Sequence, residues 1–580
     1  MKFSNYLCFL AVGMLFVFGC KQQPEAIPDS RKNDYALYDS KGKMHRFSRY
    51  NNKKGIVLFV QGNGCPIVRN ALTDFHAIVA AYQEDFQFFM INSNIQDDAA
   101  EITEEANAFK FQVPVLVDNA QLLADELDIT ITAEAIVLHP TSRAVLYRGP
   151  LNNRIDYETQ KNKATATYLS DALTAIQNGE TAVSHQEVTR GCTVTRLSKL
   201  QDEDSLTYSD DIGPILASNC VQCHRDGGRA PWSMDDYQTI TGWSAMIKEV
   251  LLSKRMPPWK ANKMIGDFQD DFSLPDSSAR KIIAWIDNGM PPGNGSDVLQ
   301  ELKFPKQTWQ KGEPDKVVYL EKEVIPATKL LPYQYQTFDL ELTEDKWLKG
   351  VEIIPGNPKL LHHIVLLNRG AYEKSPITDR ELRIWSDNYI ALGAGANQAT
   401  FFPEGTGVKL KKGTKLTVQL HYTPIGVEAT DETKIGFYFH DQAPEKWFYP
   451  LATTNVNFEI PAHTDNVRLV ATDTISQAIH IHYLMPHMHY RGKEINMKVI
   501  KPSGEVIPLV SVPDFSIDWQ WLYKLKEPVY APKGSVIFVE GIFDNTVQNP
   551  LNPDASKDIY FGIQSYDEML TGFFSYTLAD

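Results

Sequence analysis

Cysteine is scarce, with six in 580 residues at positions 8, 20, 65, 192, 220 and 223. That is too few for a disulfide-built scaffold, so each can be weighed singly. A basic excess is missing as well. The 57 Lys and Arg against 72 Asp and Glu leave a formal net charge of −15, which repels a phosphate backbone, and nucleic acid is not an expected partner. No apolar run of membrane-spanning length follows the first twenty residues, so the body of the chain is expected to be soluble. With 43 % hydrophobic and 22 % charged residues there is core material for globular domains, about three to five at usual domain sizes. Histidine is more informative than its total of 14 suggests, because nine (362, 363, 421, 440, 463, 480, 482, 487, 489) crowd into one stretch.

Met1-Lys2 and the apolar run Leu7 to Phe18 make an export signal over 1–20, too short for a bilayer span. The run ends in Val17-Phe18-Gly19-Cys20, which resembles the bacterial lipoprotein cleavage box, with Phe18 bulkier than usual there. The resemblance implies lipidation of Cys20, a polar tether over 21–33, and a body exported and lipid-anchored to a bacterial membrane, facing the periplasm or the surface.

The rest reads as a multidomain α/β + α + β chain. From 34 to 180, β-type runs such as Gly55-Ile-Val-Leu-Phe-Val60 alternate with helical stretches whose Leu72, Phe75, Ile78 and Val79 form one stripe. A polar linker spans 181–207. From 208 to 300 the signals are helical, with Asp276 expected to cap a helix that buries Ile282, Ile283 and Ile286. Beyond 315 short alternating strands continue to the end, long enough for two tandem β-sandwich units, 315–445 and 446–580.

Cys220-Val-Gln-Cys223-His224 has the spacing for two thioether links to haem vinyl groups with the adjacent imidazole on the iron. Met256, set in Arg255-Met256-Pro257-Pro258-Trp259, is the candidate second axial ligand, ahead of Met234, Met246, Met264 and Met290. The stretch resembles a class I cytochrome c, which implies a small all-α haem c domain whose task is to pass electrons.

In the tail, Leu361-His362-His363-Ile364, Gln419-Leu420-His421-Tyr422, His487-Met488-His489-Tyr490-Arg491-Gly492-Lys493 and Asp567-Glu568-Met569 occur in an order and at intervals that resemble the copper type II, ascorbate-dependent monooxygenases, the peptidylglycine and dopamine hydroxylating family. The resemblance implies two jelly-roll sandwiches, each holding one copper. His362, His363 and His421 would form an electron-transfer site, and His487, His489 and Met569 the site that meets O2. Imidazole suits both copper oxidation states and a thioether favours Cu(I). His487 and His489 share a strand face, whereas adjacent His362 and His363 can bind one metal only if their strand bends. His480 and His482 are a rival same-face pair; His440 and His463 read as surface residues. At the positions where the peptide-hydroxylating branch holds a substrate carboxylate, this chain has Met485, Thr571 and Phe573, which implies a less charged substrate.

Gly62-Asn-Gly-Cys65-Pro66, between a strand and a helix, resembles the active-site turn of the thioredoxin/peroxiredoxin superfamily, and implies a thioredoxin-like domain with a helix-activated thiol at Cys65. The second position of a CxxC is Val68, the usual threonine is replaced at Gly62, and the loop that usually carries a cis-proline reads Thr132-Ala133-Glu134. Cys192 could pair with Cys65, either as a redox couple or as a clasp.

Together these readings imply a copper monooxygenase that hydroxylates a C–H bond of a small organic substrate with O2, its two coppers supplied with electrons by the fused haem c, itself reduced by an external donor. Two alternatives stand beside it: a copper-binding or redox-handling protein without hydroxylation, and a redoxin-type thiol peroxidase acting through Cys65.

Overall fold

A computed structural model of the chain describes residues 34–155, 160–180, 189–197, 205–304, 309–328, 331–368, 389–394 and 399–579. The export signal, Cys20 and the tether lie outside the described residues. In the N-terminal unit five strands lie in the order Val115–Val117, Phe86–Asn92, Gly55–Gln61, Glu134–Leu138, Val145–Pro150. The first three are parallel and the last two antiparallel. The Gly55–Gln61 strand is buried at every position, as expected of a central strand covered on both faces. Helix Pro66–Tyr82 lays Val68, Leu72, Phe75 and Val79 on the sheet. This is a thioredoxin-like α/β domain.

Helices Gly213–Asn219, Ser244–Leu252 and Asp276–Asp287 pack around the fully buried Trp285 with Tyr208, Leu216, Ile247 and Ile283. Asp276 is not the cap expected: Pro275 holds that position and Asp276 is the first helical residue, where its charge favours the helix dipole. A second departure is larger. The expected helical unit ran unbroken to 300, yet Trp259, Ala261 and Phe268 belong to the core of the C-terminal sheets. Trp259 packs edge-on against Trp521 and Tyr523, with ring centroids 5.5 and 5.0 Å apart, and Gln269 and Lys526 exchange backbone hydrogen bonds with Lys524 and Asp267.

The C-terminal region is β-rich. One four-stranded sheet runs in the order Gln334–Asp339, Lys415–Tyr422, Leu361–Leu367, Tyr389–Ala394, and shares a core with the sheet built on Lys346–Ile354. A second four-stranded sheet, Tyr449–Asn455, Leu570–Leu578, Ile479–His487, Tyr523–Ala531, covers the sheet made by Val467–Thr474, Val536–Phe543, Gly492–Ile500 and Val506–Val512. The two units also meet each other. Tyr483, Met485 and Phe573 of the second join the core of the first, the Tyr483 hydroxyl donates to Phe401 O at 2.7 Å, and Tyr389 and Ser575 hydroxyls lie 2.8 Å apart. All seven residues of Leu361–Leu367 are therefore buried.

The parts are joined at one carboxylate. Asp514, buried in the C-terminal region, accepts from Arg46 and Arg49 of the N-terminal domain at 2.7 Å each, and from Lys260 at 2.9 Å. Burial alone would raise this carboxyl, but Arg46, Lys260 and Arg49 hold it well below the usual carboxylate range. Burial pulls Lys260 below its ordinary value despite Asp514, whereas Asp514 and Asp34 raise Arg46 against its burial.

Removing the carboxylate leaves buried Lys260 and half-buried Arg46 and Arg49 without their shared anion, and Asp514→Ala is expected to destabilise the joint by about 3–5 kcal/mol, read as a shift of the first urea transition. A lowered carboxyl pKa stabilises above the unfolded value, and that contribution is lost as pH falls through the folded one. The gap between wild type and Asp514→Ala should therefore be full near neutrality and close only below about pH 4. A gap that does not change with pH would refute the assignment.

Candidate metal centres

The seam between the two β units encloses a cavity lined by His363, His487, His489 and Met569, members of both expected ligand sets. Ile364, Val365, Leu392, Met485 and Phe573 supply apolar walls. About 30 Å³ is open to a water-sized guest, enough for one water or a molecule of similar size. Ile563, 38 % exposed, is the lining residue toward solvent.

His362, His363 and His421 come together. Leu361 pairs with Tyr422 and His363 with His421, so two steps on one strand match one on the other, and His362 is the extra residue of a β-bulge. The bulge supplies the bend that adjacent histidines require, because it turns two consecutive side chains to one side. The three Nδ1 atoms lie 3.1, 3.1 and 3.4 Å apart. Imidazole–metal bonds of about 2.0–2.1 Å in a tetrahedron set ligand nitrogens roughly 3.3 Å apart, so the donor set fits one metal ion. Burial, with the neighbouring histidines, pushes His363 well below its ordinary pKa, and burial with His362 takes His421 to about 3. Both stay neutral at pH 7, as ligands must. Tyr333 packs edge-on over His363 and His421 at 5.6 and 4.9 Å.

The second set sits opposite. His487 and His489 rings are 5.1 Å apart at 88°. Cross-strand pairing of His487 with Thr571 brings the start of Leu570–Leu578, and Met569 before it, beside these rings. Gln520 donates through Nε2 to Ile517 O, which leaves Oε1 to accept from His487 Nδ1 at 2.5 Å. His489 Nδ1 lies 3.3 Å from Asp567 O, while its Nε2 is buried without a hydrogen-bond partner. In both rings Nδ1 is engaged and Nε2 remains for a ligand, the arrangement in which an outer partner fixes the tautomer. Burial lowers His487 to about 4, and burial with His487 holds His489 well below its ordinary value. A soft thioether beside two neutral imidazoles fits copper.

The residues after His489 brace this site. Buried Glu568 accepts from the His489 and Arg491 amides, both at 3.2 Å, and burial raises its carboxyl to about 8. Fully buried Arg491 donates to Asn545 Oδ1, Tyr566 O and Asp554 O, tying the histidine loop to the loop that delivers Met569. A Cβ at Gly492 would come within 2.8 Å of Met488 and Phe515 side-chain atoms. His480 and His482 lie elsewhere, His480 stacking on Tyr530 at 5.4 Å and His482 bonding Thr577 Oγ1 at 3.1 Å. Met485 and Phe573 line the cavity, while the Thr571 hydroxyl turns to Thr454 at 3.1 Å. His440 bonds Thr406 O at 2.9 Å, away from the cavity.

In the helical unit Cys220 and Cys223 are free and half-buried. His224 Nδ1 lies 3.1 Å from Trp232 O, so Nε2 remains for a ligand. Met256 is half-buried; Met234 instead sits in the helical core, its amide donating to His224 O. In the N-terminal domain Cys65 precedes helix Pro66–Tyr82, and Cys192 reaches it through Thr132: the Thr132 hydroxyl lies 3.1 Å from Cys65 Sγ and accepts from Cys192 N at 2.8 Å. Burial would raise the Cys65 thiol, but hydrogen bonds from Cys192 and Thr132 hold it below its ordinary value, whereas burial and Cys65 push Cys192 up to about 11.

Sequence reasoning missed Tyr333, Gln520, Glu568 and Arg491 as parts of the site. Glu568 and Arg491 stood inside quoted motifs, so their signal was present. Tyr333 and Gln520 carry none, since each acts through a partner far along the chain.

Two family models match parts of the chain. Residues 26–149 match the AhpC/TSA family, and residues 452–578 match the copper type II ascorbate-dependent monooxygenase, C-terminal domain. No curated relative matches. Among solved structures, the chain is similar to a hypothetical protein from Sinorhizobium meliloti 1021, at 21 % identity over 29 % of this chain and 94 % of that one with a TM-score of 0.25. It is also similar to the pneumococcal exposed lipoprotein thioredoxin of Streptococcus pneumoniae strain TIGR4, at 18 % identity over 25 % and 98 % with a TM-score of 0.21. A peroxidoxin from Mycobacterium tuberculosis aligns at 17 % identity over 25 % and 94 % with a TM-score of 0.20. The chain thus carries a redoxin-type domain ahead of a copper monooxygenase C-terminal domain.

Proposed function

We propose that this chain is a copper-dependent monooxygenase that hydroxylates a C–H bond of a small, weakly charged organic substrate with O2, its electrons supplied by haem c held at Cys220, Cys223, His224 and Met256. In this reading the body is exported and anchored through lipidated Cys20, and an external donor reduces the haem. The carrying observation is the single cavity shared by His363 of one set and His487, His489 and Met569 of the other. Copper, when bound, supplies one-electron redox chemistry and reactivity toward dioxygen. The chain's own residues do the rest. Gln520 and the Asp567 carbonyl orient the imidazoles, and Glu568 with Arg491 holds the loop that presents Met569. Met485 and Phe573 offer apolar contact where a charged substrate would need a partner. Overall the reaction consumes O2, substrate, a pair of electrons and a pair of protons, and returns alcohol and water.

The haem assignment is supported by Cys220, Cys223 and the free Nε2 of His224, and by fusion itself, which holds a donor at an effective concentration of about the millimolar range. The tight cavity favours a second reading, copper handling without hydroxylation. The monooxygenase reading includes a jelly-roll fold for both β units, and the free Cys65 and Cys192 are proposed to pair, as a redox couple or as a clasp.

Metal content separates the two functions. Copper-loaded protein should hold two ions by mass spectrometry, falling to one in His421→Ala and to one in His489→Ala; a single site in the wild type would leave only copper handling. With the haem reduced, adding copper, substrate and oxygen should reoxidise it continuously, and His489→Ala should limit this to the single electron that the three-histidine copper takes; sustained reoxidation at the wild-type rate in His489→Ala would defeat the coupling. Thiol mapping of the exported protein should find Cys65 joined to Cys192, and finding both free would exclude the pair.

A further inference from the structure

Four consecutive residues, Asp518-Trp519-Gln520-Trp521, reach one histidine of each set and residues close in sequence to the expected haem ligands. Asp518 Oδ1 lies 3.4 Å from His362 Nε2, on the outer side of the three-histidine set. Gln520 Oε1 lies 2.5 Å from His487 Nδ1 in the second set. Trp519 is covered by the Arg229 guanidinium, 5.6 Å from its ring centroid, and Arg229 follows Cys223-His224 by a few residues. Trp521 donates from its indole nitrogen to Pro258 O at 3.0 Å, beside Met256. The segment thus meets both stretches expected to hold haem and one histidine from each copper set. Arg229 is close enough to depress His363 and His421, and it acts on Cys223 and Asp518 as well.

We propose that Asp518–Trp521 is the strap that couples the haem side to the three-histidine side, with Arg229 and Trp519 as its outer contact and Asp518 as its inner one. The inference rests on the donor reading given above. An electron crosses a protein faster along bonds and close contacts than across open space. Trp519 and Asp518 are neighbours in the chain, so only two non-bonded gaps separate Arg229 from His362. One electron leaves reduced haem and converts Cu(II) at His362, His363 and His421 to Cu(I); no bond is made and no proton moves. These four are positioning residues, since each acts through another. Gln520 gives the strap a second duty, because the peptide that carries the outer contact also sets the His487 ring.

The test uses the full chain with haem and copper in place and oxygen absent. Reduced haem is mixed with the Cu(II)-loaded protein, and decay of the haem band is followed beside loss of the Cu(II) paramagnetic signal. Trp519→Leu is expected to slow transfer severalfold with copper content, haem spectrum and both potentials unchanged, and Asp518→Asn to slow it by more than any measured shift of the copper potential accounts for. Trp519→Phe, which keeps a ring under Arg229, should restore most of the rate. Asp518 has 56 % of its side chain exposed, so its variant folds even if the Trp519 variants do not. Wild-type rates in Asp518→Asn and Trp519→Leu would overturn the strap, and so would slowing that only follows copper loss. If the wild type itself transfers nothing, the donor reading fails, and the strap falls with it.

Discussion

The Asp514 carboxylate, with Arg46, Arg49 and Lys260 around it, ties the N-terminal domain, the arm after Met256 and the C-terminal region together at one point. A buried anion in such company cannot be relocated, because each partner that leaves uncovers charge in a poorly solvated place. Asn262 reinforces the joint by donating from its side chain to Gly42 O and from its backbone to Ser511 O. The consequence reaches the centres. The arm that starts at Met256 is pinned by Lys260 and Trp259, so its Pro258 carbonyl is in place to meet Trp521.

Local pattern made the alternation of strands and helices in the N-terminal domain legible, since the Leu72, Phe75, Val79 stripe and the apolar central strand are short-range signals. Both copper sets were legible for another reason: histidines are rare enough that their spacing stands out. What could not be read was everything set by long-range pairing. Trp259, Phe268 and Phe272 fall inside the stretch 208–300 assigned to the helical unit, and no local pattern tells an aromatic that its partners are Trp521 and Tyr523. The bulge at His362 was required by the chemistry yet invisible in the residues, since it arises from the mismatch between two strands.

The two sets rest on different grounds. The family match over 452–578 covers His487, His489 and Met569. His362, His363 and His421 lie outside it, and their standing comes from geometry: three nitrogens at the spacing of a tetrahedral edge, two of them neutral through burial. Three nitrogens held that close, with burial lowering His363 and His421, form a donor set that one metal ion fits.

The seam explains why the ligands must come from separate units. A strand inside a single sandwich turns one face to its own core and the other to solvent, which leaves no place for a dry cavity with polar walls. Packing one β unit against the other buries Leu361–Leu367 and the Tyr483–His487 end of the Ile479–His487 strand together. Imidazoles on these strands lose water and stay neutral, and the space between them is walled by Met485, Leu392 and Phe573. The docking of the two β units thus removes water from the imidazoles and encloses the cavity in one step, so the protonation state of the histidines and the walls around them are set together.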